Sequence, residues 1–316
     1  MKTVTDGQPK PLAHLGPAGT FTELAAMRFA QPGQPLSPLP SIRAVIEAVR
    51  NGHVDAGVVP IENAVEGAVT ATLDLLGFGP PGVYMQAETD VPIEMALLAF
   101  PGTVLDEITE VRSHPVALGQ CTQWLDTHLD SAALIDVAST AEGATQVRDA
   151  GAHSSIAALG NALLAEQLGL EIVAAPVQDL HTNATRFALI GRSLPPLSGH
   201  DRTSIVVFLD NDRAGQLLSV LSHFASRGIN LTRIVSRPTR RAFGDYAMFI
   251  DFEGHVEDNH VGNALRAVHR HVGDIRVLGS VARADGTPSP SKPQGESDAD
   301  YAAARTWYDG LRNLVQ

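Results

Sequence analysis

A single cysteine, Cys121, excludes an intrachain disulfide and any cysteine-rich metal site in this chain. Lysine is nearly as scarce, and stands only at Lys2, Lys10 and Lys292, near the two ends. The long stretch between them has no lysine for a Schiff base, a pyridoxal phosphate anchor or a Walker-type phosphate loop. Glycine-loop signatures of hydride and phosphoryl transfer are missing too. No run approaches the ~18 apolar residues of a membrane span. Residues 1–12 lack the apolar core of a secretion signal, so a cytoplasmic protein is expected. A net charge of −12 argues against a nucleic-acid partner, which needs a basic face. Cofactor-free chemistry becomes the leading enzyme class, with any anion held by arginine, histidine, backbone amides or hydroxyls.

What is present is a chain of 316 residues, 44% apolar, enough for two or three domains. After a polar, flexible lead over 1–11, a short strand at 13–15 runs into Gly16-Pro17-Ala18-Gly19-Thr20-Phe21-Thr22-Glu23. Thr20 followed by Glu23 is a capping-box pattern, which predicts a helix carrying Leu24, Met27 and Phe29. Its free N–H groups offer a seat for a carboxylate, beside the plainer reading of a well-capped turn. Ser41 caps a second helix. A strand over 56–59 then leads to Pro60-Ile61-Glu62-Asn63, which puts Asn63 at the carboxyl edge where open α/β sheets bind ligands. Glu62 suits an acid or base, or a partner for an arginine or amide. Pro115 fits a first helical position, with Ser113 or His114 at the cap and Gln120 within the helix. His114 suits either a cap or a base. Cys121 shares a face with Leu118 and Leu125, a core position rather than a nucleophile's.

Strand and helix alternate to residue 193, which predicts two α/β lobes over 12–195 with a mostly parallel architecture. Asp179-Leu180-His181-Thr182-Asn183-Ala184-Thr185-Arg186-Phe187 returns between the lobes as a polar loop, with a short strand beginning at Phe187. Loops placed by rigid elements concentrate binding groups. The alternative is an ordinary loop in which Asp179 caps a turn. Over 201–282 the order becomes βαββαβ, a ferredoxin-like unit. Residues 283–300 read as a flexible linker within a 283–316 tail, and residues 301–314 have a weak helical pattern that suits docking on the fold.

Four motifs in order then resemble prephenate dehydratases: Gly16-Pro17-Ala18-Gly19-Thr20-Phe21-Thr22, Val59-Pro60-Ile61-Glu62-Asn63, Ser113-His114-Pro115 with Gln120-Cys121, and Asn183-Ala184-Thr185-Arg186-Phe187. The βαββαβ unit resembles an ACT domain. The resemblance implies an α/β fold with a two-lobed, periplasmic-binding-protein-like catalytic domain and a ferredoxin-like ACT regulatory domain. It implies a cofactor-free, metal-free lyase of L-phenylalanine biosynthesis, acting on prephenate and assembled as a homodimer or homotetramer. Thr185 takes the catalytic position, and Asn63, Ser113 and Gln120 the substrate contacts. Phenylalanine is the implied effector, at Gly215, Gln216, Leu217, Leu218, Asn230, Ser236, Arg237 and Pro238. Val116 and Ala64 depart from the family pattern beside the site, and Ala214, Gln216 and Val235 within the effector motifs.

On this reading prephenate loses carbon dioxide and water, and Thr185 donates to the leaving hydroxyl, assistance worth typically ~10²–10⁴ in rate. Arg186 pairs with a carboxylate, or braces the loop against Asp179 or Glu62. Phe187 or Phe21 packs on the ring, with core packing the alternative for Phe187. Thr20 and Ser113 hold the pyruvyl carboxylate. An arogenate-accepting dehydratase and a non-catalytic amino-acid sensor are the competing functions.

Overall fold

The structure, a computed structural model, describes residues 9–152, 154–209, 214–239, 244–288, 292 and 294–315. Most of the expected lead, and residues 289–291 and 293 of the expected linker, lie outside the described residues. Elements run β1 (Leu12–Leu15), α1 (Phe21–Phe29), β2 (Leu36–Leu39), α2 (Ile42–Arg50), β3 (Gly57–Asn63), β4 (Gly67–Ala68), α3 (Thr70–Gly77), β5 (Tyr84–Pro92) and β6 (Ala96–Ala99). Then come β7 (Glu110–Ser113), α4 (Pro115–Gly119), α5 (Thr122–His128), β8 (Ala133–Asp136), α6 (Thr140–Ala150), β9 (Ile156–Gly160), α7 (Ala162–Leu168), β10 (Glu171–Ala174) and β11 (Ala184–Gly191). The last part holds β12 (Asp201–Phe208), α8 (Gln216–Ala225), β13 (Leu231–Pro238), β14 (Tyr246–Glu253), α9 (Asn259–His269), β15 (Asp274–Ala282) and α10 (Asp298–Arg312).

The chain divides into two compact units, one of Met1–Val69 with Thr89–Phe187, the other of Thr70–Glu88 with Ala188–Gln316. Helix α3 therefore falls in the second unit, with the βαββαβ segment.

In the first unit, β1 pairs parallel with β2 and β3, and β3 neighbours β11. The second sheet, in order β10-β6-β9-β7-β8, pairs β7 parallel with β8 and β9 but sets β6 and β10 antiparallel. This lobe is mixed rather than mostly parallel, because two crossover segments enter and leave it side by side. They hydrogen-bond to each other: Ile93 N donates to Asn183 O, and Val177 N to Met95 O, both at 2.9 Å. One face of the sheet buries Leu118, Cys121 and Leu125 with Leu97 and Leu159. The other buries Val147 and Leu164 with Leu98. Strand alternation sends neighbouring residues to opposite cores.

The expected core of α1 is corrected. Thr22, Glu23, Ala25 and Ala26 are its buried residues, whereas Met27 is 44% exposed.

In the second unit the βαββαβ order holds, with strands in the order β13-β14-β12-β15 and antiparallel pairs throughout. Val220 and Phe224 of α8 and Val261, Ala264 and Val268 of α9 cover one face, against Ile205, Val207, Ile250 and Phe252. Leu217 and Leu221, expected in that stripe, are only half-buried. Helix α3 lies on the opposite face. There Phe78 meets Phe208 and Phe249 edge-on, at centroid distances of 5.9 and 5.6 Å. A Cβ on Gly77 would come within 2.5 Å of the Phe249 ring. The tail helix α10 is held at its start, where Lys292 bridges Asp258 and Asp298 and Asp298 accepts from Asn259. Trp307, Tyr308 and Leu311 beyond it are exposed.

Candidate active site

Strand β11 begins at Ala184, three residues earlier than expected, so Thr185 and Arg186 stand on a strand and not in a loop. Alternation then separates them. Thr185 and Phe187 face one way and are buried, while Arg186 faces the other.

Asn63, the last residue of β3, organises the Thr185 face. Its Oδ1 accepts from the backbone N–H of Val65 (2.9 Å) and of Glu66 (3.0 Å). Backbone N–H groups only donate, so this end of the amide must be the oxygen. Nδ2 then points inward and donates to Asn183 Oδ1 and to Thr185 Oγ1, each at 2.9 Å. Both amide hydrogens are used. Thr185 Oγ1 is thus an acceptor toward the protein, and among the described residues no acceptor takes its own hydrogen. The three side chains are 3–9% exposed, so a lost partner here leaves a buried polar group unsatisfied, at about 1–3 kcal/mol.

Beside this cluster, Gln120 and Asn183 line one cavity of about 230 Å³ with Val65, Gln178 and Asp179. Gln120 caps the end of α4 rather than lying within a helix, and its Nε2 donates to Glu66 Oε1 at 3.1 Å. Asp179 caps helix α5 from a distance, accepting from the N–H groups of Gln123 and Trp124. A carboxylate suits that position, at the positive end of a helix. Burial first, and then the Asp179 charge, push the Cys121 thiol up to about 12, so it is no nucleophile at neutral pH.

Three expected contacts take other roles. The Arg186 guanidinium grips Asp90 through Nε (3.0 Å) and Nη2 (3.4 Å), and Glu62 through Nη1 (3.2 Å). This is the bracing role in place of a substrate contact, because the residue after Thr185 on a strand must face away from it. Ser113 is fully buried and donates to Leu159 O at 3.0 Å, and the cap on α4 is His114, whose Nδ1 accepts from Val116 N. Thr20 makes no side-chain cap on α1, and its hydroxyl donates to Pro17 O.

The turn before α1 is held from within. Glu23 accepts from Gly19 N, so the protein's own carboxylate occupies part of the seat expected for a ligand. Asn161 donates to Gly19 O, and Gln167 to Glu23. Gly19 has φ +81°, and an added Cβ would collide with Leu164, so only glycine fits.

Asn183 and Glu66 join the site without having been singled out individually. Asn183 stood inside a quoted motif. Glu66 had no local signal, because its tie to Gln120 crosses from one lobe to the other.

The expected effector residues lie on the second unit. Gly215 (φ +83°) opens α8 and is exposed, as are Leu218, Asn230, Ser236 and Pro238. Gln216 is buried and Leu217 half-buried. Arg237 is already paired: Nε and Nη2 meet the two oxygens of Asp74 at 3.0 and 2.8 Å.

Among the described residues no helix is long and apolar enough to cross a membrane. The prephenate dehydratase family model matches residues 12–194, and the ACT domain model residues 203–270. A prephenate dehydratase of Amycolatopsis methanolica is 41% identical over 308 residues, covering 96% of this chain and 99% of its own. The crystal structure of a prephenate dehydratase from Arthrobacter aurescens in complex with L-Phe superposes with a TM-score of 0.88 at 40% identity, covering 96% of this chain and 99% of that one. A structure described as a quorum quenching acylase, GqqA, superposes with a TM-score of 0.75 at 27% identity, covering 88% and 98%.

Proposed function

The chain belongs to the prephenate dehydratase family, lyases that form phenylpyruvate from prephenate, and from that membership we propose that Thr185 is the hydrogen-bond donor to the leaving ring hydroxyl. One observation carries this reading. Asn63 donates to Thr185 Oγ1, which leaves the threonine hydrogen for the substrate. Aromatisation drives loss of carbon dioxide and water, so the protein need only orient the leaving groups and stabilise the departing hydroxide. Rigidly placed donors are suited to that task, since they do not reorganise during the step. Gln120 and Asn183 then contact substrate. Ser113 supports the wall behind them, and Phe187 packs beneath Thr185.

Phenylalanine is the effector in this proposal, bound where Gly215, Leu218, Asn230 and Ser236 are exposed, between copies of a homodimer or homotetramer. The Arthrobacter relative was crystallised with L-Phe, which supports this choice. The protein works in the cytoplasm, without a cofactor. Acyl transfer, as named for the 27% identical neighbour, would need an activated nucleophile. Thr185 receives a hydrogen bond from an amide rather than giving one to a base, and Cys121 is core.

The test is turnover of prephenate, followed as phenylpyruvate absorbance in alkali. Thr185→Ala is expected to lower kcat about 10²-fold or more, and Thr185→Ser, which keeps the hydroxyl, much less. A Thr185→Ala enzyme within about threefold of wild type would overturn the assignment.

A further inference from the structure

Helix α3 has little of its own to stabilise it. It spans 8 residues, begins with Thr-Ala-Thr and ends in glycine, and so short a helix is marginal alone. What holds it is the sheet of the second unit. Arg237 grips Asp74 at two points, and the pair is 22% and 16% exposed, dry enough to exceed an ordinary surface ion pair. Arg276 donates to the carbonyls of Gly77 (3.2 Å) and Gly79 (2.9 Å), which occupies the helix's C-terminal end. Phe78 is set between Phe208 and Phe249.

The same helix is tied closely to Asn63 by sequence. Residues 64–69 join them, and this connection has little slack. Asn63 and Glu62 pair with Gly67 and Ala68 of β4, and Val69 N donates to Ile61 O at 2.8 Å. Asn63 Oδ1 itself holds the N–H groups of Val65 and Glu66. A shift at the start of α3 is therefore passed to the Asn63 amide rather than absorbed by a loose loop.

Strand β13 has two faces. Arg233, Val235 and Arg237 turn inward on one, and Ile234 and Ser236 are exposed on the other. Arg237 thus reads from behind what meets Ser236 in front.

We propose that Asp74 and Arg237 are positioning residues for Asn63: their ion pair sets helix α3, and the hydrogen-bonded connection 64–69 carries that setting to the hydrogen bond on Thr185. An effector on the Ser236 side moves β13, and with it the pair. This second step rests on the effector reading above, whereas the first does not.

Asp74→Asn and Arg237→Gln keep size and polarity, and with their double variant they form a cycle. Each single variant is expected to lower kcat for prephenate about tenfold with KM within about twofold, because a displacement of about 1 Å at a reacting group costs up to ~10²-fold. The double variant should be no worse than the poorer single one, since all three remove the same contact. Near-ultraviolet circular dichroism checks that each variant is folded, and Arg237→Lys, which keeps the charge, should recover part of kcat. In calorimetry Asp74→Asn should bind phenylalanine within about threefold of wild type while its effect on turnover disappears, the signature of lost coupling with binding retained. Folded variants with wild-type kcat, or losses that simply multiply in the double, would overturn the positioning role. Wild type showing neither heat nor a change in turnover with phenylalanine would remove the effector reading alone, with the kcat cycle still deciding the rest.

Discussion

Thr185 and Arg237 each carry an expected ligand contact, and each stands on a strand with one dominant partner from a distant part of the chain. Around Thr185 the partner is neutral: Asn63 and Asn183 complete a buried set of amides and a hydroxyl. Around Arg237 it is charged: Asp74 meets the guanidinium at two points, part-exposed. Under the roles proposed above, the difference follows from their tasks. A site for a dianion that expels hydroxide gains from dipoles already aimed, and a neutral network holds its geometry across salt and pH. A contact that must give way when a strand moves is better made of an ion pair, whose strength depends on separation and on water.

The sharpest way to break this comparison is Asn63→Asp. The substitution conserves shape but replaces the amide donor with an acceptor, so the Thr185 hydrogen turns inward to the new carboxylate. We expect kcat to fall about 10²-fold or more with KM within about threefold, a loss confined to the transition state. Turnover close to wild type would mean that the direction of this hydrogen bond is irrelevant.

A smaller effect is expected on the other side. Gly77→Ala drives a methyl group into the Phe249 ring, itself buried, and should destabilise the second unit by about 1–3 kcal/mol in thermal unfolding. An unchanged midpoint would show that α3 is not seated on that sheet as described.

The smallest effect concerns the tail. Hydrogen bonds from Lys292 first, and then from Asn259, hold the Asp298 carboxyl at about 2, below its ordinary 3.8. A depressed carboxylate contributes above its ordinary pKa. The contribution is lost as pH falls from about 3.8 through about 2. Because Asp298 is 55% exposed, solvent screens the pair and the effect at neutral pH should be below about 1 kcal/mol. Lys292→Met should speed amide exchange in α10 while prephenate turnover stays unchanged. Equal exchange in both proteins would show that the first turn is held by something else.

The Thr185 cluster also shows how far residues 179–187 can be read alone. They contain the right groups, but the loop expected there is a strand from Ala184, because β3 supplies a neighbour that no local pattern announces. That one change sends Arg186 to the back face, to Asp90 and Glu62, and leaves Thr185 with Asn63. Thr20 and Glu23 were legible as a capping box, yet Glu23 reaches past Thr20 to Gly19 and Thr20 turns to Pro17. Capping patterns name the partners and not which N–H they choose. The βαββαβ order, by contrast, was readable throughout, since alternation and helical spacing are local properties of each element.

Sequence alone determined the chemistry available: no lysine in the working middle, one inert cysteine, and an order of strands, helices and motifs that carries the family. Those follow from composition and short-range periodicity, which survive without coordinates. Tertiary structure alone decided the pairings, Asn63 with Thr185, Gln120 with Glu66, Asp179 with α5 and Arg237 with Asp74. Each joins residues more than fifty positions apart. Hydrogen-bond direction and strand facing are set by the neighbour across the fold, and no local spacing encodes that neighbour.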